Sequence, residues 1–498
     1  MDWPASGTCA IGPATADVRR IVIVGGGFSG AAAAIHLSRA CGVPLEILVV
    51  EPRAALGAGI AHSSPEPDHR LNGPDSIHSP YPDEPGHFAA WLRRSGTLAA
   101  DRESVAANGL VFARRHAFGR YMGEEIARHA LGNPGACRIE HVRQAARRLS
   151  LRPSAIEVEL GDGSRLGASA CILALGWNAV GTPRELLPIT GHPGWIGDPW
   201  RTQAFDTIAS GAPVLLVGSG LTASDAFAAL TARGHRGPVL SLSRHGLRPG
   251  SQNPHRSQRS VWDRVLEREP AILRRGGVPA SARAAVRLLR REIAAIDPAA
   301  SSWHVPFDEL RDACWLFWSR WPDAERRRFV RHVKAWYDAF RFRNPPQVER
   351  IVDDGLRCGR LAFATGRLRN SRGDGSTIVV EYESPHGAGR RTVRAAAVIN
   401  CTGPRPRPSQ SGNPFWEALL RDGIARDDAA GLGVDVDLRG RLVDGHGRPH
   451  DAIFAVGPPT LGRFGEAAAV PYVVRGILDA TRQIVASGER PAEPPGGE

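Results

Sequence analysis

The architecture of this chain follows from Arg20-Ile21-Val22-Ile23-Val24, which runs into Gly25-Gly26-Gly27-Phe28-Ser29-Gly30 and then into the small residues 31–35. An apolar strand, a glycine turn and a small-residue helix form the G-x-G-x-x-G turn of a dinucleotide-binding βαβ unit. Gly25 permits the tight bend, Gly27 lets the backbone approach a pyrophosphate, and Gly30 lets the helix pack closely. The sequence therefore predicts a nucleotide site at the N-terminus of this helix.

The same pattern occurs a second time in the middle of the chain. Val214-Leu215-Leu216-Val217 runs into Gly218-Ser219-Gly220-Leu221-Thr222-Ala223, 193 residues after the first turn (218 minus 25). Glycine-rich turns between a strand and a helix also occur without a ligand, so one such turn is weak evidence. Two turns predict a protein that holds two dinucleotides and passes electrons between them.

The residue that ends the next strand indicates which nucleotide each turn holds. Glu51 lies 21 residues after Gly30, and a carboxylate there can accept hydrogen bonds from both ribose hydroxyls of FAD or NAD. Arg244 lies 21 residues after Ala223, and its guanidinium can bind a 2′-phosphate with two parallel hydrogen bonds. This favours NADPH over NADH, which stays possible. The residues assigned to NADPH are Gly218, Gly220, Leu221, Ser243, Arg244 and His245.

Composition argues against several other classes of protein. The 498 residues carry a formal charge of +12, but Lys334 is the only lysine and no long basic run occurs, so nucleic acid is not indicated. The arginine surplus suits an anionic small substrate instead. Residues 1–18 lack the features of a secretory signal, and the longest apolar run, 21–37, is interrupted by glycines. We expect a soluble, cytoplasmic protein that binds no membrane.

Metal and disulfide chemistry are not indicated. The seven cysteines are scattered, with none at C-x-x-C spacing, so neither a zinc ribbon nor a redox-active pair is predicted. The seventeen histidines show no H-x-x-x-H or H-E-x-x-H pattern on a helical stretch. We expect no metal.

The remaining sequence predicts an α/β fold with two Rossmann-like, three-layer ββα dinucleotide-binding domains and a helical insertion. Residues 1–196 and 395–498 are assigned to a discontinuous FAD-binding domain, and residues 197–254 and 346–394 to an inserted NAD(P)H-binding domain. The helical insertion or lid spans 255–345, and most of its tryptophans are expected in its core. A lid over the second nucleotide site is the alternative. The irregular stretch 56–85 is long enough to be functional.

Taken together, the chain resembles the two-dinucleotide flavoproteins, and among them the FAD/NAD(P)-binding family related to flavin-dependent monooxygenases. The resemblance covers most of the chain, and the pair of glycine turns is its most specific element. Four further stretches are particular to that family: Gly57-Ala58-Gly59-Ile60-Ala61 with Arg70-Leu71-Asn72, Phe112-Ala113-Arg114-Arg115 with Gly119-Arg120-Tyr121, Ile196-Gly197-Asp198-Pro199-Trp200, and Gly465-Glu466-Ala467-Ala468-Ala469-Val470-Pro471.

The resemblance implies that the first βαβ unit and the C-terminal strand and helix hold FAD. The loop from His69 to Gly73 and Arg115 would approach the flavin, and the final helix, beginning near Ala467, would point its positive end at the flavin. Glu51 and Arg53 would lie by the ribose and pyrophosphate. The residues assigned to FAD are Gly25, Gly27, Gly30, Glu51, Arg53, Arg115, Gly403, Gly457 and Ala467. His69 and Asn72 are near-flavin candidates, and the catalytic residues are unassigned.

Two departures leave the finer enzyme class open. The F-x-G-x-x-x-H motif of Baeyer–Villiger monooxygenases has no match, since the nearest stretch is Thr190-Gly191-His192-Pro193-Gly194-Trp195. Gly457 is followed by Pro458, where the family usually has aspartate.

The leading hypothesis is an FAD-dependent, NAD(P)H-consuming hydroxylase. Through a C4a-hydroperoxyflavin, it would transfer one atom of molecular oxygen to a small nitrogen-containing substrate, such as urate, an amino acid or an amine. The alternative is a flavin reductase or dehydrogenase that passes electrons to a quinone or protein partner. A third hypothesis is a flavin-loaded regulatory module that contacts RNA through its arginines.

Overall fold

The structure is a computed structural model that describes residues 18–153, 155–255, 259–298, 301–385 and 389–488. Its strands are β1 (Arg19–Val24), β2 (Leu45–Val50), β3 (Arg138–Val142), β4 (Ala146–Leu151), β5 (Ile156–Leu160), β6 (Arg165–Ala168), β7 (Ala170–Leu173), β8 (Trp195–Ile196), β9 (Val214–Val217), β10 (Val239–Ser243), β11 (Leu361–Thr365), β12 (Arg367–Asp374), β13 (Thr377–Glu383), β14 (Arg390–Ala395), β15 (Ala397–Asn400), β16 (Arg441–Val443) and β17 (Pro449–Ala455).

The α-helices are α1 (Phe28–Ala40), α2 (His87–Arg94), α3 (Thr97–Ala100), α4 (Arg115–Leu131), α5 (Leu221–Ala232), α6 (Val261–Leu266), α7 (Ala271–Gly276), α8 (Ala282–Ala294), α9 (His304–Asp312), α10 (Asp323–His332), α11 (Lys334–Arg341), α12 (Pro346–Arg357), α13 (Pro414–Arg421), α14 (Leu461–Phe464) and α15 (Val470–Gly488). Short 3-10 helices lie at Asp75–Ile77, Arg102–Ser104, Arg184–Ile189, Thr202–Thr207, Cys314–Leu316, Trp318–Arg320, Pro408–Gln410 and Pro458–Thr460.

A six-stranded sheet carries the N-terminal glycine turn. Its order is β16-β17-β7-β1-β2-β3, and every neighbouring pair is parallel except β16 with β17. Successive side chains of a strand point to opposite faces. Ile21 and Ile23 of β1 therefore pack in the core that contains α1, whereas Val22 and Val24 pack in the core that contains β4 to β6. Burial on both faces explains why β1 is apolar throughout.

A five-stranded parallel sheet carries the second glycine turn. Its order is β11-β10-β9-β15-β8. Leu216 packs in the core that contains Phe227 of α5, and Leu215 packs in the core that contains Ile378 and Val380 of β13. The second domain thus has the same three layers as the first: helices, a parallel sheet and a three-stranded antiparallel sheet.

The two domains also share the order of their elements along the chain. In each, a βαβ unit and a further parallel strand (β3 or β11) are followed by the antiparallel strands, β4 to β6 or β12 to β14. The chain then returns to pair beside the first strand, through β7 or β15. The predicted α/β fold with two three-layer domains is confirmed.

Strand pairing changes the predicted domain boundaries. Both β8 and β15 belong to the second sheet, although residues 195–196 and 397–400 had been assigned to the first domain on sequence. The reason is that β15 completes the second sheet beside β9, so the chain leaves that sheet only after Asn400. We propose that the second domain begins at about residue 195 and ends at about residue 400.

The two segments that cross between the domains contact each other. Val180 and Pro404 form an antiparallel bridge, and Asn178 Nδ2 donates a hydrogen bond to the Arg405 carbonyl at 2.8 Å. Arg405 in turn donates to the Thr182 carbonyl at 2.7 Å. The domain connection is therefore a pair of joined segments.

The helical insertion packs on the C-terminal part of the first domain. Trp318 Nε1 donates to the Gly462 carbonyl at 2.9 Å, and Cys314 Sγ donates to the Phe464 carbonyl at 3.5 Å. Trp318 and Trp321 are buried in the core of the insertion, as predicted, whereas Trp336 is exposed. The contacts of this core therefore run to residues 462–464, and a lid over the second nucleotide site stays a prediction.

The final helix differs from the prediction at its start. It begins at Val470, so that Ala467 lies in the preceding loop. Pro471 is the reason, because proline lacks an N–H donor and is favoured in the first helical turn. Among the described residues, no helix has both the length and the apolar character that crossing a bilayer requires.

Candidate functional site

The first glycine of each turn is required by the fold itself. Gly25 has φ +103°, and a methyl group there would lie 2.5 Å from the Ala174 carbonyl oxygen. Gly218 has φ +120°, and a methyl group there would lie 2.2 Å from the Cys401 carbonyl oxygen. Because Ala174 follows β7 and Cys401 follows β15, each turn packs against the backbone at the end of the neighbouring strand. The predicted correspondence between the two turns extends to atomic detail.

The second glycine of each turn leaves the helix N-terminus open. Gly27 and Gly220 are the N-caps of α1 and α5, neither makes a side-chain capping bond, and neither helix has an acidic residue in its first turn. A methyl group on Gly220 would meet nothing within 4 Å, so the fold does not require glycine there. Free first-turn N–H groups under an open approach are what a pyrophosphate needs. Both turns therefore fit a dinucleotide.

Glu51 stands at the predicted ribose position beside the first turn. It is 4% exposed, and its carboxylate accepts hydrogen bonds from Gly26 N–H at 2.9 Å and from Arg53 Nε at 2.8 Å. Burial raises the pKa of Glu51, but the hydrogen bonds from Arg53 and Gly26 outweigh burial and hold the pKa below its ordinary value. Glu51 is therefore ionised at neutral pH and able to accept hydrogen bonds.

The residues predicted to bind the 2′-phosphate lie together at the end of β10. Ser219 of the turn donates a hydrogen bond to Ser243 Oγ at 2.8 Å, and Ser243 Oγ accepts one from Gly246 N–H at 3.0 Å. Arg244 and His245 are exposed at this edge, and in the described part of the chain neither side chain makes a hydrogen bond or an ion pair. The Arg244 guanidinium is thus free to bind an anion.

Arg115 joins the two domains. Its Nε donates to the Arg70 carbonyl at 2.8 Å, and one terminal nitrogen donates to Asn72 Oδ1 at 3.2 Å and to Asp225 Oδ2 at 2.8 Å. Asp225 belongs to α5 of the second domain, and both members of this ion pair are buried. Trp200 adds a cation–π contact, with the Arg115 guanidinium 5.4 Å from its ring centre. The loop predicted to lie near the flavin and the helix of the second glycine turn therefore meet at one guanidinium.

His69 lies next to this junction. Its Nδ1 shares a 2.7 Å hydrogen bond with Ser64 Oγ, and its ring meets Trp200 edge to face at 5.8 Å between ring centres. Burial lowers the pKa of His69, so the imidazole is neutral at neutral pH. A neutral, buried imidazole can orient a bound group or relay a proton.

A second ion pair joins the same two domains. Glu66 accepts hydrogen bonds from two terminal nitrogens of Arg233 at 2.7 and 2.9 Å, and it also accepts one from Thr202. Glu66 lies in the irregular loop after the first βαβ unit, and Arg233 follows α5. The long loop is therefore joined to the second domain directly through Glu66 and indirectly through Arg115, which bonds Arg70 and Asn72 of the loop.

A loop of the second domain reaches the same place. Gln252 Nε2 donates to the Asn72 carbonyl at 2.8 Å and to the Asn344 carbonyl at 3.0 Å. The loop that contains Asn72, the second domain and the end of the helical insertion are thus joined through Gln252.

The structure places Gly457 and Gly403, both predicted to bind FAD, beside different glycine turns. Gly457, with φ +79°, lies against Ser29 in the first turn of α1, where a methyl group would come 2.7 Å from Ser29 Oγ. That position beside the first turn suits its predicted place in the FAD site. Gly403, in contrast, lies just after β15 of the second sheet, and its assignment to FAD stays a prediction. Its neighbour Cys401 contacts Gly218 of the second turn.

A comparison with protein families addresses the first domain. Residues 22–178 match a family model described as FAD-NAD(P)-binding. These residues are an FAD-NAD(P)-binding domain. The match runs from β1 to just beyond β7 and so contains the glycine turn, Glu51, Asn72 and Arg115. No curated protein matches this chain.

Three solved structures share the fold of the FAD-NAD(P)-binding domain and of the rest of the chain. The reduced form of ornithine hydroxylase from Pseudomonas aeruginosa has a TM-score of 0.61 at 16% identity, covering 95% of this chain and 100% of that one. The FAD-bound cadaverine monooxygenase of Erwinia amylovora has a TM-score of 0.63 at 13% identity, covering 97% of this chain and 99% of that one. L-lysine 6-monooxygenase from Pseudomonas syringae has a TM-score of 0.59 at 16% identity, covering 94% of this chain and 98% of that one. These likenesses show a common fold.

Some site residues were not identified from the sequence. Asp225, Glu66 and Arg233 form the contacts between the FAD-NAD(P)-binding domain and the second domain, yet only tertiary structure brings them together. One signal was available for Asp225, a carboxylate within the apolar run of α5, because a buried charge requires a partner. Within the described ranges, no group of three His, Cys, Asp or Glu side chains is arranged to hold a metal ion.

Proposed function

We propose that the protein is an FAD- and NADPH-dependent monooxygenase that hydroxylates nitrogen in a small amine or amino acid. The observation that carries the proposal is the arrangement of two open glycine turns around one buried junction at Arg115. The names of the structural neighbours, which refer to ornithine, lysine and cadaverine, support an amine over an oxidised purine, so urate is not retained.

Different side chains would have different roles in such a reaction. The N-terminus of α1 and Glu51 would hold the diphosphate and ribose of FAD, and the N-terminus of α5 and Arg244 would hold NADPH. FAD, when bound, supplies electron transfer from NADPH and the activation of oxygen. Asn72 and Arg115 would orient the groups at the junction, where burial keeps water from the reaction.

The test measures NADPH oxidation, oxygen uptake and hydroxylamine formation by the FAD-loaded protein with a panel of amino acids and amines. We expect at least one compound to accelerate NADPH oxidation and to yield a hydroxylamine in proportion to the NADPH consumed. NADPH oxidation that yields only hydrogen peroxide with every compound would contradict the hydroxylase. In that case, reduction of quinones by the same protein would support a reductase instead.

A further inference from the structure

A layer of buried charge lies between the helical insertion and the start of α15. Tyr472 of α15 connects its two sides, because its hydroxyl contacts both Asp312 and Arg311 of α9. Glu466, just before α15, accepts hydrogen bonds from Arg341 and Tyr337 of α11. The arginines of this layer are Arg264, Arg311, Arg341, Arg343 and Arg475, and its carboxylates are Asp308, Asp312 and Glu466.

The charges of this layer do not balance. Five guanidinium groups face three buried carboxylates, Asp479 adds a fourth carboxylate near Arg475, and the neighbouring Lys334 and Asp338 form a neutral ion pair at the edge. A buried charge without a counter-ion is strongly unfavourable in a protein interior. The layer as it stands therefore favours an added anion.

Three of the five arginines are satisfied by the two aspartates. Arg264 donates to Asp312 at 2.7 Å, and Arg343 donates to Asp308 at 2.7 and 3.1 Å. Arg311 bonds both aspartates, at 2.8 Å each. These pairs use both carboxylates of α9. Arg341 and Arg475 are the two arginines of the layer that these carboxylates do not bond.

Arg475 is enclosed by aromatic rings. Its guanidinium lies 4.4 Å from the ring centre of Trp315 and 5.6 Å from that of Phe464, and burial lowers its pKa. The ring faces offset part of its charge. Its Nε and one terminal nitrogen are fully buried without a hydrogen-bond acceptor, so a ligand has no route to them.

Arg341 is the arginine whose fork is open. Its Nε donates to Glu466, whereas its two terminal nitrogens have no acceptor among the residues that the structure describes. The side chain is 12% exposed, so it is fixed in place but still reached by solvent. A guanidinium held through Nε with two free parallel N–H groups matches the geometry of a carboxylate.

Arg341 is joined, through Glu466, to the segment that the sequence assigns to the flavin. Glu466, which fixes Arg341, directly precedes Ala467 and the N-terminal end of α15. We propose that the two terminal nitrogens of Arg341 bind the carboxylate of the substrate, so that the protein prefers amino acids to their decarboxylated amines. The substrate role rests on the proposed function, whereas the carboxylate site itself can be tested without catalysis.

The experiment compares binding of amino acids and of the matching decarboxylated amines to FAD-loaded protein by calorimetry, with and without NADP⁺. The panel pairs each amino acid with its amine and includes L-ornithine with putrescine and L-lysine with cadaverine. For wild type, we expect at least one amino acid to bind about ten-fold or more tightly than its amine. Arg341→Gln should abolish that difference, and Arg341→Lys should keep part of it, because lysine retains the charge without the fork.

The control is Arg331→Gln, which makes the same change of charge at an exposed position on α10 and should keep the full preference. FAD content and melting temperature are measured for each variant, so that a folding defect is recognised. Equal binding of amino acids and amines to wild type would overturn the proposal. So would a preference that survives in Arg341→Gln, or a panel in which no amino acid binds.

Product analysis separates this proposal from the proposed function. Carboxylate-dependent binding without any hydroxylamine would leave the Arg341 site standing and overturn the hydroxylase together with the substrate role. Hydroxylamine formed equally well from amines and amino acids would leave the hydroxylase standing and overturn the Arg341 site.

Discussion

Two glycines of the second turn serve different purposes although they are two residues apart. Gly218 has a positive φ and packs against a carbonyl, whereas Gly220 has ordinary φ and open space where a side chain would be. Only the first is needed for folding. The second keeps the backbone accessible to a ligand.

Alanine substitutions should separate these two roles. In Gly218→Ala, the alanine must adopt a positive φ and its methyl group must contact the Cys401 carbonyl. The substitution should therefore lower the free energy of unfolding by about 1–3 kcal/mol. Gly220→Ala should leave the unfolding free energy unchanged but raise the KM for NADPH about ten-fold, which is about 1.4 kcal/mol. Denaturant unfolding and steady-state kinetics measure the two effects. Equal loss of stability in both variants would contradict this assignment.

Arg244 supplies a test of the cofactor at the same edge. Arg244→Ala removes a free guanidinium at the end of β10 and should raise the KM for NADPH about ten-fold or more, with little effect on NADH. The control is Arg236→Ala, which removes an exposed arginine from the loop that precedes the same strand. If the variant affects both cofactors equally, Arg244 does not recognise the 2′-phosphate.

At the scale of elements, α5 is both a nucleotide helix and a docking surface. Its N-terminus faces the second turn, and Asp225 within it pairs with Arg115 at the start of α4. Because the pair is buried, removing one partner leaves an uncompensated charge.

A double-mutant cycle should measure this coupling. Asp225→Ala should lower the free energy of unfolding by about 3 kcal/mol, and Arg115→Ala by a similar amount. The double variant should lose less than the sum, with a coupling energy of about 1–3 kcal/mol. Asp206→Ala, which removes an exposed partner of Arg233, should cost less than about 1 kcal/mol. Additive losses from the two buried positions would show that the pair is not coupled.

The elements themselves were largely predictable, but their contacts were not. The strands β1, β7, β9 and β15 follow from apolar runs that end at glycine turns, since a strand buried on both faces must be apolar throughout. Arg341 and Glu466 are 125 residues apart, and Arg115 and Asp225 are 110 apart. Neither pair has a local pattern, so only the packing of whole elements determines them. The same holds for β8 and β15, whose sheet depends on partners distant in sequence.

At the scale of the whole molecule, burial strongly lowers the pKa of four histidines in the first domain. Burial lowers the pKa from an ordinary 6.5 to about 4 for His36, His78 and His129, and to about 3 for His62. The unfolded chain takes up these protons near pH 6.5, whereas the folded protein takes them up only near pH 4 or below.

Stability should therefore be greatest above about pH 6.5 and should fall as the pH drops toward 4. Each such histidine contributes a slope of up to about 1.4 kcal/mol per pH unit in that window. Urea unfolding of the FAD-loaded protein at pH 7.5, 6.5, 5.5 and 4.5 measures the effect. Ordinary carboxylates take up protons mainly below pH 4.5, so they do not account for a change in stability above that pH. A free energy of unfolding that does not change between pH 6.5 and 5 would contradict the prediction.

The joined crossing segments constrain how the two domains could move. Because Val180 is bridged to Pro404, a rotation of the second domain would have to move both segments together. Such a rotation would carry α5 along an arc and pull Asp225 and Arg233 from Arg115 and Glu66. The Arg115–Asp225 and Arg233–Glu66 salt bridges, together with the Gln252–Asn72 hydrogen bond, therefore oppose a change in the angle between the domains.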